Sequence, residues 1–126
     1  MTEKEIEEFA KILITEVRDE SIDSCDILID QNSEDVGAKR LRSLCDDGMN
    51  ENFAKALVLY CVDEVLFHLL DAIDNAHLQL VFKSNKGNMV DLTDSGEMAG
   101  WYASGEWKKK FSKQRYFDDF EDLTLD

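Results

Sequence analysis

The chain has 126 residues, 28 acidic and 14 basic, for a net charge of −14. That excess repels a phosphate backbone and an anionic bilayer alike, so nucleic acid and membranes are poor ligands and a basic protein is a complementary one. With 44% hydrophobic residues, the composition excludes a disordered chain and suits a single domain, residues 1–126, around one core.

The N-terminus, MTEKEIEEF, lacks the basic-then-apolar pattern of a secretory signal. Thr2 and Glu5 have capping-box spacing, and Ile6, Phe9, Ala10, Leu13 and Val17 recur at helical intervals. This predicts a first helix over residues 3–18. Ile22, Cys25, Leu28 and Ile29 carry the period through residues 21–31 on a rotated stripe. No glycine or proline intervenes, which favours continuity over a separate short helix. Ser33 is placed to cap a helix over residues 34–45, with Val36, Leu41, Leu44 and Cys45 facing inward and Gly37 weakening its first turn. Asp46, Asp47 and Gly48 would end it, the glycine in a left-handed position.

Residues 51–75 hold the longest apolar pattern, with Asn50 as cap and Asn75 as terminator. Val58, Leu59, Val62, Val65, Leu66, Leu69, Leu70 and Ile73 share one broad face at 3.6-residue periodicity. Phe53, Leu57, Tyr60, Cys61 and Phe67 lie on the other side. A helix so apolar around its circumference reads as buried and central. Asp63, Glu64, His68 and Asp71 interrupt it, so it is no membrane span. Beyond Asn75 the period changes to two. Leu78, Leu80 and Phe82 alternate with Gln79, Val81 and Lys83, residues 84–88 with Lys86-Gly87 read as a turn, and Met89, Val90 and Leu92 make a return strand. The hairpin needs helices or a third strand to lie against. Residues 95–105, SGEMAGWYASG, read as a loop, and residues 107–116 as a final helix.

The architecture expected is therefore α+β: an N-terminal helical bundle around a central helix, then a β-hairpin and an aromatic-rich C-terminal segment. Its core would include Phe9, Leu13, Leu41, Leu44, Val62, Val65, Leu66, Leu69, Leu70, Leu80 and Phe82.

Several side-chain groupings could carry chemistry. Glu64, His68, Asp71 and Asn75 form a polar seam on the central helix, and carboxylate and imidazole at i, i+4 can share a metal. A solvated stripe with His68 paired to Glu64 is the plainer account, and no cofactor is expected. Cys61 and His68 are seven residues apart, about 10 Å at 1.5 Å per residue, too far for a nucleophile–base hydrogen bond. No GxSxG, P-loop, HExxH or GxGxxG is present, so an enzyme is not expected. Cys25, Cys45 and Cys61 form no CxxC and read as reduced, buried thiols of a soluble cytoplasmic protein.

The basic run Lys108, Lys109, Lys110, Lys113 and Arg115 is interleaved with Trp107, Phe111 and Tyr116. Such a segment can bind single-stranded nucleic acid. Residues 1–35, with twelve acids against three bases, offer it an internal partner, and docking there is the better fit to the overall charge. Trp101 and Tyr102 are either interface anchors or seals on the core. A small acidic chain without catalytic motifs resembles, at the level of class, the bacterial immunity proteins that cap cationic toxins. The resemblance implies a non-enzymatic, toxin-neutralising binding module. Glu7, Glu8, Asp19, Trp101 and Tyr102 are the candidate partner-binding residues. The alternative is a metal- or small-ligand-binding domain built on Glu64, His68 and Asp71. The oligomeric state is left open.

Overall fold

In a computed structural model, which describes residues 3–45 and 48–116, the chain is α+β and mostly helical. The first helix, α1 (Glu3–Ile12), passes without a break through a π-helical segment (Leu13–Arg18) into α2 (Asp19–Ile29). Continuity is therefore correct, and the rotated stripe has a physical cause. Hydrogen bonding from i to i+5 accommodates extra residues in the turn and shifts the inward face along the sequence. Ile6, Ala10, Leu13 and Ile14 are buried, but the next inward position is Arg18, fully buried, while Val17 is 42% exposed. Val17, part of the apolar pattern read for the first helix, and its charged neighbour have exchanged places. The inward face then resumes at Ile22 and Ile29.

Helix α3 (Val36–Ser43) begins later than expected. Asp35, not Ser33, is its N-cap, its carboxylate accepting from the backbone of Gly37 and Ala38. A Cβ on Gly37 would approach Leu28 Cδ2 to 2.6 Å, so the glycine permits the close packing of α3 on α2. With α2 as its main neighbour, α3 buries Ala38 and leaves Val36 and Leu44 exposed, contrary to their inward assignment.

Helix α4 (Glu51–Asp74) is capped by Asn50, whose side chain accepts from Phe53 N, and closes at Asn75. It packs on α2 and on a later helix, α5, and buries Ala54, Leu59, Leu66, Leu70 and Ile73. Its coverage is one-sided. Phe53, Leu57, Tyr60, Cys61 and Val65 are exposed, so Val65 leaves the expected core and Cys61 is not a buried thiol.

The hairpin pairs β1 (Val81–Lys83) with β2 (Met89–Asp91), Phe82 opposite Val90. Gly87, at φ +88°, takes the left-handed position its turn requires. The helix α1 supports the hairpin. Phe82 meets Phe9 edge-on at 5.6 Å, and Asn85 N and Asn88 Nδ2 donate to Glu8 and Glu5. The strands are shorter than expected and Leu80 is exposed.

After a 3-10 turn (Leu92–Asp94) comes the main departure from expectation. Residues read as loop form α5 (Met98–Ala103), and the last helix, α6 (Glu106–Phe111), is short, with extended chain at Ser112. The Asp74 carboxylate of α4 accepts from Met98 N at 3.1 Å and Ala99 N at 2.8 Å, so a tertiary contact caps α5. The main apolar cluster gathers Ile6, Ala10, Leu13, Ile14, Leu66, Leu70, Ile73, Leu92, Met98, Ala99, Tyr102 and Trp107, with Phe9, Val62, Leu69 and Phe82 packed at its edge. Thr2, Asp46 and Asp47, on which expectations also fell, lie outside the described residues.

Candidate functional site

Two groupings of polar side chains stand out, one buried and one open. The buried one centres on Arg18. Its guanidinium donates to Asp63 at 2.9 Å, Asp19 at 3.3 Å, Ser112 Oγ at 3.1 Å and the Arg115 carbonyl at 3.0 Å. Asp63, on α4, also accepts from Tyr102 Oη at 2.6 Å and from Lys108 Nζ at 3.4 Å. Asp19 accepts from Ser112 Oγ and Lys113 N, both at 2.8 Å. Two cations thus face two carboxylates, and the network ties the π-helical segment, α4, α5, α6 and the segment beyond α6 together. Burial, and then the Asp63 carboxylate it bonds, push the Tyr102 hydroxyl well above its ordinary pKa, so it stays protonated as a donor. The side chains are committed to one another, an arrangement that fixes geometry. A cleft of about 230 Å³ adjoins it, between Tyr60, Phe67, Tyr102 and Lys108.

The open grouping is a groove of about 330 Å³ between α1 and the α5–α6 corner. Three local patterns build it. Glu3, Ile6 and Glu7 stand at i, i+3 and i+4 on α1, hence on one face. Glu106, Trp107, Lys110 and Phe111 stand at i, i+1, i+4 and i+5 on α6, and α5 contributes Trp101. Gly105, at φ +84°, makes the tight turn that folds α6 back beside α5. The Trp101 and Trp107 rings are 6.2 Å apart with a tilt of 52°, and Phe9 meets Trp107 edge-on at 6.5 Å. Trp107 is buried and Trp101 half-buried. Lys110 Nζ donates to Glu7 Oε1 and lies 5.5 Å from the Phe111 ring centre. Among the described residues, Glu3 and Glu106 are not ion-paired. The groove therefore combines aromatic walls with an excess of carboxylate.

The sequence-derived candidates divide between these places. Glu7 and Trp101 meet in the groove. Glu8 accepts from Asn85 N of the hairpin turn, and Asp19 and Tyr102 are buried in the network. Glu3, Glu106 and Trp107 join the groove only through the packing of α6 on α1, which no local pattern announces. The C-terminal basic segment does dock internally: Lys110 on Glu7, Lys108 on Asp63, and Arg115 bidentate on Asp26 at 2.8 and 2.9 Å.

The seam on α4 is a solvated stripe. His68 Nε2 lies 3.4 Å from Glu64 with both side chains 70% exposed, and Asp71 accepts from Asn75. Among the described residues, no three His, Cys, Asp or Glu side chains are placed to hold a metal ion, and no helix is long and apolar enough to cross a membrane. Compared with protein-family models, curated proteins and solved structures, the chain matches none of them.

Proposed function

We propose that this chain is a non-enzymatic protein-binding module that engages a basic partner through the groove between α1 and α6. The observation that carries the reading is the meeting of Glu3, Glu7 and Glu106 with the half-buried rings of Trp101 and Phe111 on one open surface. Tryptophan is favoured as an interface anchor, and a surrounding negative field speeds encounter with a cationic protein. The buried charges balance one another, so the acid excess lies on the surface, where it acts on partners. Capping a cationic toxin is the specific form of this activity that suits a small acidic module. A metal- or ligand-binding role through Glu64, His68 and Asp71 has no comparable convergence of groups to support it.

The test pairs the wild type with Glu3→Gln/Glu7→Gln/Glu106→Gln, an isosteric change at exposed positions. Partners are captured from the native lysate at low and moderate salt, and association with any stoichiometric basic protein is then timed. The triple variant should fold normally, associate more slowly and lose most of its salt dependence. Equal rates and equal salt dependence for the two proteins would remove the groove from the mechanism.

A further inference from the structure

Resting on that reading, we infer that the groove receives the side chain of a single lysine or arginine of the partner, and that Lys110 is a resident competitor for its position. The chemistry of the lining selects the charge. Aromatic faces carry a negative quadrupole that attracts a cation and disfavours an anion. Trp101 and Phe111, both half-buried, supply such rings, and Glu3, Glu7 and Glu106 supply the counter-charges. An arginine suits the place best, because its planar guanidinium can stack on an indole while forking onto a carboxylate.

The molecule already shows an ammonium group held in this way. Lys110 rests on Glu7 beside the Phe111 ring, at one wall of the groove. Its hold is weak by construction. Both side chains of the pair are about half exposed, at 51% and 48%, and exposed ion pairs contribute little. Nor does release of Lys110 unmoor α6, which is anchored by Trp107 and Lys108, both buried. An incoming cation can therefore take Glu7 while Lys110 turns to solvent. A site blocked part of the time binds more weakly by the fraction blocked. Removing the competitor should tighten binding about two- to fivefold, the range an exposed pair allows.

The chain's two tryptophans both line the groove, so their emission reports its occupancy directly. The probe is a blocked glycine peptide with one central arginine, titrated into the full chain beside its citrulline counterpart, a neutral isostere. Three proteins are compared: wild type, Lys110→Met, and Lys113→Met. The last makes the same charge change at an exposed lysine outside the groove. The arginine peptide should give a saturable emission change that citrulline does not, and Lys110→Met should bind it two- to fivefold more tightly than Lys113→Met. Equal affinities for the two variants overturn the competitor role. An equal response to citrulline overturns cation selection. No saturable response to arginine, from a protein that still captures a basic partner from lysate, overturns the single-side-chain inference and leaves the module standing. No response and no partner overturn both.

Discussion

Arg18→Met tests whether the buried network holds the fold together. Methionine keeps much of the length and loses the charge and the donors. Four hydrogen bonds disappear, and the cluster passes from two cations against two carboxylates to one against two. Breaking a buried ion pair by removing one partner costs about 3–5 kcal/mol. The lower end applies here, because Asp63 keeps Tyr102 and Lys108, and Asp19 keeps Ser112 and Lys113 N. The expected loss is about 3 kcal/mol. With a urea slope of about 1–3 kcal/mol per molar, the midpoint falls by about 1–3 M. Urea unfolding followed by tryptophan emission measures it. The cycle with Asp63→Asn adds a second reading, since the double variant should lose less than the sum of the two single ones. A loss below about 1 kcal/mol, the range of an exposed pair, would refute the network as the clamp.

Two further outcomes follow from single contacts. Asp74→Ala removes the acceptor that caps α5, and should cost about 1–2 kcal/mol in thermal or urea unfolding. An unchanged midpoint would mean that α5 is held by packing alone. Tyr102 gives a pH dependence. Its hydroxyl is raised above its ordinary pKa, so above about pH 10 the unfolded chain loses a proton that the folded chain retains. Stability should be unaffected by this group at lower pH and fall as pH rises past about 10, by about 1.4 kcal/mol per pH unit for the one proton. Tyr102→Phe should show a shallower decline between pH 10 and 11, and equal slopes would contradict the assignment.

Local signals were legible where local chemistry decides the structure. Asn50 and Asn75 bound α4 as their side chains and the surrounding period suggest, and Lys86-Gly87 marks the hairpin turn. The failures have non-local causes. The helix α5, MAGWYA with Gly100 inside it, is weak on propensity and is capped by a carboxylate 24 residues earlier. The π-helical segment is invisible to a count of 3.6-residue intervals, which places Val17 where Arg18 lies. Hydrophobicity marks which residues can be buried but not whether a neighbour arrives to bury them. Val36 and Leu44 on α3 and Val65 on α4 lack one. Of the groove, Glu7 and Trp101 were readable from charge and residue type, whereas Glu3, Glu106 and Trp107 needed the packing of α6 on α1.

That packing connects the buried network to the groove. Successive helical residues turn by about 100°, so Lys108 and Lys110, two apart on α6, point to nearly opposite sides. Lys108 is buried against Asp63, and Lys110 reaches Glu7 at the groove. One short helix therefore carries both the anchor and the gate, and it stays in register because Arg18, turned inward by the π-helical segment, secures the chain beyond α6 through Ser112 and the Arg115 carbonyl. An acidic surface serving only solubility would place its carboxylates among polar neighbours. Here Glu3, Glu7 and Glu106 border Trp101 and Phe111, both half-buried, so apolar rings sit at an open and strongly charged edge. That juxtaposition suits the occupant proposed for the groove, a side chain cationic at its tip and apolar along its stem.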